Sequence, residues 1–206
     1  LLADALLLDS FARTNLNDHA GSLKSAYRAR DLFASAGNLY GKAESLSAAS
    51  TAASALGDYE QATQLNELAL VLLLELGNNS LIAVHLGNMA ALFYERGQPA
   101  LAVARAQSGL LLARQIGNRE AIQQALCTLG AVAIQRGDLP QAELFLEQAQ
   151  REIQESGDPR MAAWIAWQLA ELRFEQDRLG EAEKLHRFAL TQREHHRLSA
   201  FTAESQ

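Results

Sequence analysis

A glycine, or a residue standing in for one, punctuates this chain every twenty positions. Gly57-Asp58, Gly97-Gln98, Gly137-Asp138 and Asp177-Arg178 form one series, and Gly37-Asn38, Gly77-Asn78, Gly117-Asn118 and Gly157-Asp158 form a second, offset by twenty. A glycine after a helix takes the left-handed conformation that ends it, and the Asn or Asp that follows accepts from the unpaired N–H groups of the next helix. Asp58 with Gln61 and Asp138 with Gln141 have capping-box spacing, and Pro99, Pro140 and Pro159 each fall just inside an expected helix start. Each interval therefore holds one helix of about seventeen residues, roughly 25 Å long. Two helices make a forty-residue unit, and the chain divides into units 1–37, 38–77, 78–117, 118–157 and 158–198, with 199–206 as a tail or connector. That makes ten helices.

Composition agrees with an all-α fold. The chain has 206 residues, 49% hydrophobic and only 6% aromatic, so its core must be built from small and aliphatic side chains. Alanine costs least in a helix, and Val-Ile-Thr alternation is nearly absent.

Laying the units in register shows what the alanines do. Ser10, Ser50, Ala90, Gly130 and Ala170 share one position of the first helix of each unit. Ser22, Ala62, Ala102, Ala142 and Ala182 share a position of the second helix, and Ala29, Ala69, Gly109, Ala149 and Ala189 follow seven residues on, along the same face. Small residues there let two helix backbones approach toward the short end of the 8–10 Å range. Leu46, Leu86 and Leu126, and Met89, Leu129 and Leu169, are expected to fill the core between them.

These residues carry a resemblance. A small residue in the first helix, a turn followed by "GDYEQA" or "GDLPQA", and a second small residue seven positions on resemble the tetratricopeptide repeat (TPR) in its forty-residue form. That form occurs in bacterial LuxR-type transcription regulators, pheromone-receptor regulators and Leu-Gly-Asn repeat adaptors. The resemblance implies a right-handed superhelical solenoid of five helix-turn-helix repeats whose first helices line a concave groove. It implies groove positions at Ser47, Thr51, Asn88, Tyr94, Cys127, Thr128, Ile134, Trp164, Trp167, Gln168 and Glu171. TPR domains that clamp a C-terminal carboxylate carry Lys and Arg in the groove; Ser47, Gly87, Cys127 and Trp167 stand at those places here, which argues against that ligand. Asn88, Thr128 and Gln168 share the register at which related adaptors hold a peptide backbone, or else they cap local groups. Trp164 and Trp167 are either a binding anchor or a cover for the end of the stack. Arg173 in place of Phe93, Asp177 in place of glycine and Asn17 in place of glycine mark degenerate terminal units.

Other chemistries find little support. A net charge of −6 and a pI near 5.4 argue against direct nucleic-acid binding, and the basic cluster Arg193, His195, His196 and Arg197 is short and interrupted by Glu194. Cys127 is a lone cysteine, so there is no internal disulfide, and it has no base and orienting group in register for nucleophilic catalysis. Among the histidines only Glu183 with His186 has helical ligand spacing, which reads as a surface pair and not a metal site. The glycines are single turn residues and form no phosphate loop. No apolar run is long enough to span a membrane; "LALVLLLEL", 68 to 76, is short and carries Glu75.

The expectation is a non-enzymatic, cofactor-free interaction module. It would hold a protein or peptide, or another domain of the same chain, with a homodimer through the last helix and tail as one alternative and a ligand- or signal-peptide sensor as another. A chain that opens at Leu1 reads as part of a longer protein. Arginine outnumbers lysine fifteen to three, which suggests a GC-rich bacterial genome, and a reducing cytoplasm is the expected location.

Overall fold

In a computed structural model, the backbone of residues 1–156 and 159–203 is described, with side chains over 1–153, 159 and 161–192. All the elements among the described residues are helices: α1 (Leu2–Asn15), α2 (His19–Ser35), α3 (Leu39–Ala55), α4 (Tyr59–Leu76), α5 (Asn79–Glu95), α6 (Pro99–Ile116), α7 (Arg119–Gln135), α8 (Leu139–Ser156), α9 (Pro159–Glu175) and α10 (Leu179–Ala203). The odd-numbered helices are the first of each pair, the even-numbered ones the second. The last helix continues through Ala203, past the boundary expected at 198. The cluster Arg193–Arg197 and the turn Gly157-Asp158 lie outside the described side chains.

The turns are alike because their backbone chemistry is alike. Gly37, Gly57, Gly77, Gly97, Gly117 and Gly137 all sit at φ between 64° and 82°. Asn17 and Asp177 hold the same left-handed conformation at φ 60°, so the two substitutions read from sequence as degenerate turns leave the backbone unchanged. Asn and Asp tolerate this region because their short polar side chains bond locally. Asp18, Asn38, Asp58, Asn78, Asn118 and Asp138 each accept from the N–H three residues on, at 2.9–3.2 Å. Gln98 makes no such bond, and Pro99 follows it at the start of α6, where one orphan N–H is absent.

The fifteen small positions are all buried, with relative exposure of 3% or less for every alanine and serine among them. Gly130 shows why. A Cβ built there would lie 2.7 Å from Leu146 Cδ2, so α7 and α8 approach too closely for a methyl group. Leu146 is fully buried, and the same register of α2 and α6 holds Ala26 and Ala106. The larger residue in α8 thus faces the smaller one in α7. Leu46, Leu86, Leu126, Met89, Leu129 and Leu169 are buried as expected. At the terminal units the Phe93 register is taken by arginine: Arg13 pairs with Asp9 and Asp18, and the mostly buried Arg173 pairs with Glu143 at 2.7 Å.

Candidate functional site

Stacking is uneven along the chain. The first helices of neighbouring units pack closely as α1 on α3, α5 on α7 and α7 on α9, whereas the backbones of α3 and α5 are more widely spaced and are bridged by side chains. Between units 2 and 3, α5 packs on α4 through an apolar cluster that includes Leu70, Leu73, Ile82, Leu86 and Met89, and polar bonds add to the joint. His85 Nε2, in α5, lies 2.7 Å from the Asn66 carbonyl oxygen of α4. A carbonyl only accepts, so Nε2 carries the proton, and the unprotonated Nδ1 shares the single Ser47 hydroxyl proton of α3 with the Ala43 carbonyl, each at 3.2 Å. Burial lowers the pKa of His85, which keeps the ring neutral. Arg96 donates to Thr63 at 2.6 Å, Arg105 pairs with Glu67 at 2.7 Å, and Ser54 donates to Glu95 at 3.3 Å, all from one unit to the other.

The separation of α3 from α5 opens a cleft of about 490 Å³, walled by Ser47, Ser50, Thr51 and Ser54 of α3 and by Asn88, Ala91, Leu92 and Glu95 of α5, with Tyr59 and Asn66 of α4 behind. A second hollow of about 210 Å³ adjoins it, lined by Phe11, Glu44, Ala48, Leu73, Val84 and His85 among others. Ser47, Thr51 and Asn88 border both. Three of the eleven groove positions therefore meet at one place. The wall offers hydroxyls and amides above an apolar strip, with carboxylates as its only charged groups. Asn88 also accepts from Gln124 Nε2 at 2.6 Å, which ties one wall of the cleft to α7.

The remaining positions lie elsewhere, and two of them, Cys127 and Thr128, are corrected. Cys127 is completely buried in the core and Thr128 is 2% exposed with its hydroxyl bonded to the Gln124 carbonyl, so neither faces a groove. Trp164 packs against the same core. The physical cause is visible at Gly87, one unit before Cys127: a Cβ there would meet the side chain of Gln124, 2.7 Å from Oε1. At Gly87 the following first helix therefore covers the position, through Gln124 of α7. Tyr94 and Ile134 are half-buried against the core, and Gln168 is half-buried on α9. Trp167 is 42% exposed and meets the His186 ring edge-on at 5.3 Å, while His186 Nε2 lies 3.5 Å from Glu171. Glu183 pairs with Arg187 at 2.7 Å, so the Glu183–His186 spacing brings no ligand pair together. Burial pushes the Cys127 thiol pKa up, away from thiolate chemistry. No described helix is long and apolar enough to cross a membrane.

Sequence reasoning missed Asn66, His85 and Glu95. His85 stands in a register where the units on either side have Ser45 and Ala125, and Asn66 in one where they have Ala26 and Ala106.

No family model and no curated sequence matches the chain. Solved structures share its fold. The apo form of RapI superposes with a TM-score of 0.71 at 14% identity, covering 94% of this chain and 83% of that one. BtubC (BKLC) from P. vanneervenii gives 0.72 at 17% identity over 95% and 81%. A Rap protein complexed with competence and sporulation factor gives 0.74 at 13% identity, and this chain spans 93% of its own length and 64% of that chain. The fold is an all-α, right-handed superhelical solenoid of the TPR kind.

Proposed function

We propose that this solenoid is a protein-interaction module that holds an extended peptide, or a segment of a neighbouring domain, in the cleft between its second and third units, as the regulatory part of a larger bacterial protein. The observation that carries the reading is the cleft between α3 and α5, whose backbones are more widely spaced than those of the other adjoining first helices. Extended peptides need hydrogen-bond partners for their backbone together with an apolar strip for alternate side chains, and the cleft has both. Two solved structures with the same fold are described with a partner bound, one with competence and sporulation factor and one with the Phr* peptide. They support a second reading, in which peptide binding reports to an attached output domain.

Selection from a random peptide library tests the proposal. Binders are expected, and Asn88→Trp, which fills the cleft from an exposed wall position, should weaken them at least about tenfold, the equivalent of 1.4 kcal/mol. A library without binders, or binding indifferent to the plug, would overturn it.

A further inference from the structure

Asn66 is 95% buried by its 5% relative exposure, yet its side chain has no hydrogen-bond partner among the described residues; only its backbone carbonyl is engaged, by His85. Buried carboxamides are almost always paired, because an unpaired one forfeits its bonds to water. The amide is not sealed either, since the one sealed and unpartnered side-chain atom among the described residues is His19 Nδ1. Its opening is the cleft it lines. At the same register the buried positions of α2, α6 and α8 carry Ala26, Ala106 and Leu146, and only the terminal α10 has another polar residue, His186, so an inner helix pair does not need one there.

Resting on the peptide reading above, we infer that Asn66 is the floor contact of the cleft and that its ligand is a basic extended peptide. In an extended segment the N–H and C=O of one residue point to the same side. One carboxamide accepts from the first and donates to the second. At the rim, Glu95 receives the Ser54 hydroxyl on Oε2, and its other oxygen takes no bond from the described residues. Glu95 and, in the adjoining hollow, Glu44 are the only carboxylates of the lining, and no Lys or Arg accompanies them. A guanidinium or ammonium on the peptide meets an uncompensated negative rim, whereas an acidic peptide meets repulsion.

The experiment takes the strongest hexapeptide from a positional-scanning library and measures its affinity with arginine, its uncharged isostere citrulline, or glutamate at the preferred basic position. Binding should fall about tenfold or more for citrulline and further for glutamate, and Glu95→Gln should remove the preference for arginine over citrulline. Asn66→Ala, which installs the residue of α2 and α6, should lose about tenfold in affinity while the melting temperature holds or rises. A structural role for Asn66 predicts the reverse, a lower melting temperature with unchanged binding, and would overturn the inference. Selection of neutral or acidic peptides that Asn88→Trp still displaces would overturn the basic ligand class and leave the peptide reading standing. If no peptide binds, both fall. Equal competition by free arginine amide would assign the rim to a small cation and overturn the peptide floor contact.

Discussion

Replacing Gly130 by alanine adds one methyl group where α7 meets α8. On an open helix the change stabilises by about 0.8–1.0 kcal/mol through helix propensity. Here the new Cβ would lie 2.7 Å from both Cγ and Cδ2 of Leu146, where carbon atoms rest at about 3.5–4.0 Å. Leu146 is fully buried and cannot swing into solvent. Overpacking of this kind costs about 1–3 kcal/mol, which leaves a net loss of about 0–2 kcal/mol after the propensity gain. In a chain of this size that lowers the melting temperature by up to about 8 °C. Leu146→Ala alone should cost about 2–5 kcal/mol through the cavity it leaves. In that background Gly130→Ala has room, so it should become neutral or stabilising, giving a coupling of about 2 kcal/mol between the sites. Chemical denaturation of the four proteins measures the cycle. An equal effect of Gly130→Ala in both backgrounds would refute close approach as the reason for the small residue.

Further outcomes follow from the same geometry. Gly97→Ala should cost about 1 kcal/mol, since a Cβ there meets nothing within 4 Å and only the left-handed backbone resists it; Gly97→Asn should cost clearly less, because Asn17 and Asp177 hold the equivalent turns. His85 is neutral by burial, so as pH falls through the ordinary value of 6.5 the unfolded chain takes up a proton that the folded chain resists. Stability is therefore complete above that value and declines below it, and His85→Gln should flatten the decline between about pH 7 and pH 5 when followed by denaturant titration. An unchanged slope would remove His85 as its source. Cys127 should react with an aromatic disulfide reagent only as fast as the chain opens, accelerating with denaturant; rapid labelling of the native protein would contradict its burial.

Helices and turns were legible because their signals are local. A glycine or Asn in the left-handed conformation, followed by a capping side chain, needs no knowledge of the rest of the chain. The fifteen small sites were legible because repetition averages over units. The groove was legible only in part, for a reason that Ser47, Gly87 and Cys127 make plain. They share a register, yet Gly87 and Cys127 are buried beneath the following first helix and Ser47 borders a cleft. What a register faces depends on how far away the next helix sits, and at one joint the spacing is wider and is bridged by the Ser47–His85 and Ser54–Glu95 bonds. No periodic pattern encodes a single irregular joint. Asn66 escaped notice because a lone Asn on an amphipathic helix reads as surface until its burial is known.

Hydrogen exchange with and without a selected peptide tests the central claim most directly, because it reports which helices the ligand touches. Protection should rise in α3 from Ser47 to Ala55 and in α5 from Asn88 to Glu95, with α9 and α10 unchanged. Protection centred on Trp167 and α10, with α3 and α5 exchanging as before, would contradict it.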